Sequence, residues 1–462
     1  MTEFLEMRVL PAILAFAWLS SAALAEGPSG TSDAPIDLIL AQAHRDAGIE
    51  PAALVDDSIF LRRLTLDLIG RVPTINELET FLASPDPIRT IDQLLSSDSF
   101  ADYWSQVWTS ILVGRNPDRP TDRDSLQRWL AARFAENLPM DQIAFDLISA
   151  QGVTAVDGAV NFLVGNLEDP TTSVSRVFLG VQLDCARCHD HPDDRWTQQD
   201  YQRMRRFFSA VRVDEVSGGV RVRDEAGTSG NIDEQPQFLT GAVPQTAAWR
   251  REMAYMTVRS KPFARAIGNR VWQLLLGRGV VSPVDGLSES ARPSVEELHD
   301  VLGDQLRRQK FNLRRLIQTI CSSDAYRRRS DPSPTETSRS VEVFATRRPR
   351  PLLPEQMLRS YWRILRDEEL TGTALNERSI EWLGRSAAAS GSSDPLQRRR
   401  TSQGLLVELS SPISAPWNHL DPMFLSTLSR RPTESEHDRL AGASAPDLMY
   451  ALLHCNEFVF YP

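Results

Sequence analysis

The sequence predicts a mainly α-helical protein in which a short Gly-rich linker joins two helical domains. Apolar residues recur at helical spacing through most of the chain, beginning with Ile36, Ile39, Leu40 and Ala43. Glycines and capping residues punctuate these runs where helices would begin and end. No convincing strand alternation precedes residue 212. We therefore expect a mainly α fold with at most one small hairpin.

The N-terminal half carries a series of helical signals. Pro35 stands in the first turn of the first helix, and Gly48 follows its end. The segment from Ser58 repeats the pattern and stops at Gly70. A capping box at Thr74-Ile75-Asn76-Glu77 opens the next helix. Further helices are predicted at Leu94-Leu95, Tyr103 to Ile111, Leu126 to Phe134 and Ile143 to Ile148.

The segment 213–245 differs from the rest in composition. It contains Gly218-Gly219 and Pro236, and the run Val220 to Arg223 alternates apolar and charged residues. This pattern is typical of a linker with a short hairpin. We place a helical domain at 36–212 and a second one at 246–462.

Helical signals resume in the C-terminal half at Trp249. A long apolar run begins at Pro262 and is closed by Gly277. Two further capping boxes are predicted, at Ser294-Val295-Glu296-Glu297 and Thr433-Glu434-Ser435-Glu436. Apolar helical faces are also predicted over Leu313 to Ile320 and in a final helix and tail over Leu448 to Phe460.

Composition excludes several classes of function. The 462 residues carry a formal net charge of −10, which argues against a general nucleic-acid binder because such a protein needs a basic face. The chain has no phosphate loop, no Gly-x-Ser-x-Gly motif and no dinucleotide-binding glycine fingerprint. No reaction follows from these residues, and whether the protein is an enzyme stays open.

The N-terminus has the pattern of a secretory signal peptide over residues 1–25. Arg8 precedes an apolar run, and small residues end at Ala25. A start at Met7 would give a cleaner basic region. The run is too short to span a bilayer. We expect a disordered tail at 26–35 and a mature protein without a membrane span in the periplasm or outside the cell.

The motif that carries chemistry is Cys185-Ala186-Arg187-Cys188-His189, the haem c attachment signature. Two thiols three positions apart on one turn can reach the two vinyl groups of a haem, and the adjacent His189 can bind the iron. We therefore expect Cys185, Cys188 and His189 to hold haem c, with His189 as the metal ligand. The remaining cysteines, Cys321 and Cys455, fit buried thiols better than a bridge.

Other interpretations of this motif remain open. In an oxidising compartment the two cysteines could form a redox disulfide or stay inert. The following His191 also permits a zinc site of two cysteines and one or two histidines. Should haem bind, His191 would bond a propionate or cap the turn at Pro192, and Trp196 and Tyr201 would line the haem edge or simply pack in the core. The residue on the far side of the iron stays undetermined among Met140, Met204, Met253, Met256, His44 and His299.

The residues around the motif resemble the planctomycete cytochrome-c-like domain of exported proteins. The matching segments are Phe60 to Thr74, Val177 to Pro192, Trp196, Tyr201 and Phe207-Phe208. The second half resembles the domain of unknown function usually paired with it, at Asn269 to Trp272, Gly277 to Gly279, Pro283 to Asp285, Ser323 to Arg327 and Leu452 to Phe458. One departure is Asp193, where that family usually has Phe.

The resemblance implies a haem c cofactor and leaves the activity unsettled. One hypothesis is a haem protein that passes electrons to an unidentified partner or senses redox state. A second is a non-redox binding or scaffold protein whose Cys/His turn binds zinc or stabilises the fold. A third, which rests only on the genomic company such families are thought to keep, is an accessory protein or enzyme of extracellular polysaccharide metabolism.

Overall fold

The computed structural model describes residues 35–115, 121–227, 235–287, 291–330, 338–372, 374–378 and 419–461. The predicted signal peptide and nearly all of the predicted disordered tail lie outside these residues. The described residues belong to one compact unit. Helices dominate it, which confirms the predicted fold class. No helix within the described ranges combines the length and apolarity needed to cross a bilayer.

Helices α1 to α10 lie in the first half of the chain. Several end at glycines in the left-handed region, among them α2 at Gly70, where φ is 74°. The predicted capping box at Thr74 is formed and opens α3. The helices are α1 Pro35–Ala47, α2 Asp57–Ile69, α3 Ile75–Ala83, α4 Pro87–Leu95, α5 Asp98–Val113, α6 Arg123–Ala135, α7 Met140–Ser149, α8 Val160–Val164, α9 Pro170–Val174 and α10 Gln198–Arg205.

A π-helical turn at Ser175–Leu179 extends α9, and 3₁₀ turns lie at Cys185–Arg187 and Arg206–Phe208. The remaining helices follow the hairpin. They are α11 Trp249–Arg259, α12 Lys261–Leu276, α13 Glu296–Arg308, α14 Leu313–Cys321, α15 Asp324–Arg327, α16 Ser338–Glu342, α17 Pro354–Arg366, α18 Leu420–Leu428, α19 Glu434–Leu440, α20 Ala445–His454 and α21 Asn456–Val459.

One predicted helix start is wrong. The box at Ser294 is not formed, and α13 begins at Glu296 with no side-chain cap. The backbone N–H and the hydroxyl of Ser294 both donate to the carbonyl of Val280, at 2.9 and 3.1 Å. Ser294 therefore bonds to the distant Val280 and does not cap α13, although the local pattern predicted that it would. The box at Thr433 is formed as predicted.

The strands form two small antiparallel sheets. The predicted hairpin is present as β2 Val211–Val216 and β3 Gly219–Asp224. A short strand β1, Gly152–Val153, pairs with β3 and contradicts the expectation of no strand before residue 212. Its two residues are too few to show alternation. The second sheet joins β4 Arg350–Pro351 to β5 Phe460–Tyr461.

The main core draws on helices from both sides of the hairpin. Phe178, in the π-helical turn of the first half, lies 6.4 Å from Phe263 of α12 between ring centroids. Trp104 and Trp108 of α5 are buried in the same core. A second apolar cluster packs α17, α18, α20 and α21 against Leu66 of α2. Residues on both sides of the Cys-x-x-Cys-His turn, from Val177 to Leu183 and from Trp196 to Met204, contribute side chains to the main core.

Candidate functional site

The Cys-x-x-Cys-His motif lies on a single exposed turn. The backbone N–H groups of Cys188 and His189 both donate to the carbonyl of Cys185, at 3.3 and 3.4 Å. Ala186 is fully buried, whereas Cys185, Cys188 and His189 are exposed. The small apolar residue therefore anchors the turn in the core while the two thiols and the imidazole face outward.

The start of α10 holds this turn in place. The Gln198 side-chain amide donates to the carbonyl of Cys188 at 3.0 Å, and its backbone N–H donates to the Asp190 carboxylate at 2.8 Å. A capping box between Thr197 and Asp200 fixes the first turn of the helix. Hydrogen bonds from Gln198 therefore fix the loop that carries the motif to helix α10.

The hydrogen bonds of the two neighbouring histidines define different roles. His189 Nδ1 lies 2.7 Å from the carbonyl oxygen of Asp190, which can only accept, so Nδ1 carries the proton. The second nitrogen, Nε2, keeps the lone pair that metal-binding histidines use. His191 Nδ1 instead accepts from the backbone N–H of Asp193 at 3.1 Å. His191 therefore caps the turn at Pro192, one of its two predicted roles.

The two sulfurs are separate free thiols. The Arg187 side chain hydrogen-bonds to Cys188, and this contact raises the pKa of the guanidinium. Within the described ranges, no three His, Cys, Asp or Glu side chains converge on a common metal position. The turn thus exposes two thiols and one imidazole.

The described part of the chain also contains a cleft of about 630 Å³, which we call the main cleft. Its volume is in the range of ligand sites for small organic molecules and cofactors. None of Cys185, Cys188 and His189 lines it. The main cleft is bordered by the segments on either side of the motif, because Leu179 and Val181 precede it and residues 194–196 follow it. Chain length alone keeps the His189 Cα within about 18 Å of the Asp194 Cα.

The wall of the main cleft is largely apolar and its edge is charged. The guanidinium of Arg195 lies 4.4 Å from the Trp196 ring centroid, and Arg265 forms an ion pair with Asp300. A third arginine, Arg292, is exposed. Three carboxylates, from Asp194, Glu296 and Asp300, also line the cleft, so its charged residues balance. The apolar lining includes Leu179, Val181, Trp196, Phe238, Leu239 and Leu287.

Of the six residues considered for the far side of the iron, His299 lines the main cleft and the other five do not. His299 is 6% exposed, and within the described residues its Nε2 has no hydrogen-bond partner. Burial, and next the nearby Arg265, lower its pKa to about 4, so the imidazole is neutral at pH 7. His44 differs, since its Nε2 is bonded to the carbonyl of Val343 at 2.9 Å.

The remaining candidates take packing positions. Met140, Met204 and Met253 are buried in the main core, and Met256 packs against it. Trp196 lines the main cleft and is also buried in the main core. Tyr201 instead donates to Asp169 at 3.1 Å beside a different depression. The sequence did not predict that three arginines and Phe238 would line the cleft. Six separate chain segments build it, and no local pattern identifies them.

The fold and the site define a mainly helical protein that exposes a Cys-x-x-Cys-His turn and contains a cleft of about 630 Å³. Residues 35–213 match the family PSCyt2, described as a protein of unknown function (DUF1549), and residues 250–399 match PSD1, a protein of unknown function (DUF1553). The chain therefore carries the PSCyt2 and PSD1 domains in the paired order that the sequence resemblance predicted. No curated protein and no solved structure matches the chain.

Proposed function

We propose that this chain is an exported c-type haem protein that transfers electrons or senses redox state. Cys185 and Cys188 would hold the haem covalently, and His189 would bind its iron. The observation that carries the proposal is the joint exposure of the two thiols and the imidazole on one anchored turn, with His189 Nδ1 already bonded to the Asp190 carbonyl. That bond leaves Nε2 available to a metal.

The attachment chemistry is balanced without an external oxidant. Each thiol adds across one vinyl double bond, so an S–H bond and a C=C π bond break while an S–C and a C–H bond form. Exposure of both sulfurs gives the vinyl groups access to them. The hydrogen bond between Gln198 and the Cys188 carbonyl holds the backbone in place as the two bonds form.

When bound, the haem supplies a one-electron redox centre whose potential follows its axial ligands and its burial. The residues of the chain would set its position and its exposure to a partner. An exposed attachment turn favours exchange of electrons with a second protein over a reaction on a buried substrate. Export is supported by the predicted signal peptide over residues 1–25, since its apolar run ends in small residues before Glu26.

The test is production of the full chain in bacteria that carry a cytochrome c maturation system. We expect a haem peroxidase stain to remain on the band after denaturing electrophoresis, together with the mass of one added haem. Cys185→Ala/Cys188→Ala should lose both signals. Cys455→Ser changes a cysteine outside the turn and is the matched control, so it should keep both.

A wild-type protein that is exported and folded but carries no covalent haem would overturn the proposal. Metal analysis and thiol counting then separate the alternatives. One equivalent of zinc that depends on Cys185 and Cys188 would assign a structural metal site. Loss of two reactive thiols with no metal would instead assign a disulfide between them.

A further inference from the structure

Two residues that line the main cleft carry buried ring nitrogens which have no hydrogen-bond partner within the described residues. These nitrogens are Nε2 of His299 and the indole Nε1 of Trp196, and the two residues are 6% and 8% exposed. A buried polar group without a partner is costly in a folded protein, so folded proteins contain few of them. Two such groups beside one cleft of about 630 Å³ indicate that a ligand meets them there.

The chemistry of the two nitrogens defines what this ligand must offer. The indole nitrogen of Trp196 can only donate a hydrogen bond. The His299 imidazole is neutral at pH 7, because burial, and next the nearby Arg265, lower its pKa to about 4. A neutral imidazole can carry its proton on Nε2, which is then a donor as well. An uncharged carbonyl oxygen is therefore a suitable acceptor for either residue.

The rest of the lining disfavours a charged ligand. Three arginines and three carboxylates balance in charge, and Arg265 forms an ion pair with Asp300. The remaining wall is largely apolar and includes Phe238, Leu239 and Leu287. An ion that entered this cleft would lose hydration without a net attraction that compensates for the loss. A neutral, largely apolar molecule loses little hydration and buries apolar surface.

We infer that the main cleft binds a neutral cyclic compound that carries carbonyl oxygens, of the quinone class. Its oxygens would accept hydrogen bonds from His299 and Trp196, and its ring would pack against the apolar wall. Both nitrogens are shielded from water, so side chains of the lining must shift as the ligand enters. The exposed side chain of Arg195, whose guanidinium lies 4.4 Å from the Trp196 ring centroid, is placed to make such a shift. The inference does not depend on bound haem, because none of Cys185, Cys188 and His189 lines this cleft.

The experiment is isothermal titration calorimetry of the full chain at pH 7.5 with duroquinone. The four methyl groups of this benzoquinone hinder addition of the exposed thiols to its ring. Durene has the same methylated ring without the two oxygens and is the matched control ligand. We expect the wild type to bind duroquinone at least tenfold more tightly than durene. His299→Leu and Trp196→Phe should each weaken duroquinone binding at least fivefold, and both should leave durene binding unchanged within twofold.

A control variant and the wild type alone both guard the inference. His44→Gln changes a buried histidine whose Nε2 lies 2.9 Å from the carbonyl oxygen of Val343, and it should leave both affinities unchanged. Should His299→Leu or Trp196→Phe fail to fold by circular dichroism, the wild type still decides, since equal binding of the two ligands, or binding of neither, would overturn the inference. So would unchanged duroquinone affinity in either folded variant, or a preference of the wild type for a neutral disaccharide such as maltose. These outcomes leave the haem proposal untouched, because its test is covalent haem on the turn.

Discussion

Two groups of residues differ in the surroundings of their polar atoms. Asp67 is a buried carboxylate contacted by Tyr326 and Arg350, whereas Cys185, Cys188 and His189 are exposed on a turn. The first group makes its polar contacts with other parts of the chain. The second group exposes two thiols and an imidazole. The residues that resemble the family, which include Asp67, Tyr326 and the turn, thus contain both buried structural contacts and exposed reactive groups.

The buried group joins the two family domains. Asp67 of the PSCyt2 domain accepts the Tyr326 hydroxyl at 2.8 Å and forms an ion pair with Arg350, both from the PSD1 domain. The Tyr326 carbonyl in turn accepts from Arg63 at 2.5 Å and Arg347 at 2.9 Å. Burial, and next the charge of Asp67, raise the pKa of Tyr326 well above its usual value, so the phenol stays a donor. Buried polar contacts, as well as apolar ones, therefore join the two domains.

Removal of the shared carboxylate should have the largest effect on stability. Asp67→Ala leaves the Tyr326 hydroxyl and the Arg350 guanidinium without that acceptor in a poorly hydrated interior. We expect a loss of about 3–5 kcal/mol in the free energy of unfolding, measured by denaturant titration and circular dichroism. The matched control is Asp46→Ala on the exposed face of α1, which should change stability by less than about 0.5 kcal/mol. Equal effects of the two variants would contradict a structural role for Asp67.

The sequence predicted the parts of this fold that depend on neighbouring residues. Gly70, Gly277 and the capping box at Thr74 end or begin helices because the deciding atoms lie within a few positions. The box at Ser294 failed because its hydroxyl bonds to Val280, fourteen positions away. Such a contact leaves no local pattern.

The same distinction between local and long-range contacts applies to the candidate functional site. The turn of Cys185, Cys188 and His189 is local, and its motif was visible in the sequence. The main cleft is not local, because it brings Trp196, Phe238 and His299 together from distant segments. His299 could be named as one of six candidates from its residue type alone. Its position in the wall of the main cleft separates it from the others.

The buried region and the exposed turn can also be compared by substituting the same residue type, cysteine, in each. In chain prepared without haem, Cys321→Ser should cost about 1–3 kcal/mol, because it places a more polar group at a fully buried position and changes the packed contact with Tyr326. Cys188→Ser alters an exposed thiol and should change the free energy of unfolding by less than about 0.5 kcal/mol. Urea denaturation of both variants checks this difference. A larger loss at Cys188 would mean that the turn also stabilises the fold.

The smallest effect on stability is expected at Asp37 in α1. This carboxylate accepts the backbone N–H of Asp324 at 2.9 Å, and burial, followed by the charge of Asp324, raises its pKa from 3.8 to about 6. The folded chain therefore binds this proton more tightly than the unfolded chain. The charged form destabilises the fold, fully above pH 6 and not at all well below pH 3.8.

Asp37→Asn removes that charge and should stabilise the protein at pH 7.5. Solvent reaches the half-buried group, so we expect a gain below about 1 kcal/mol. The gain should shrink as the pH falls through 6 and vanish below about 4, since the wild-type carboxyl is then neutral too. Thermal and urea unfolding at pH 4, 5.5 and 7.5 measure it, with Asp46→Asn on the same helix as the control. A gain that stays constant with pH, or grows on acidification, would show that the Asp37 charge is not the cause.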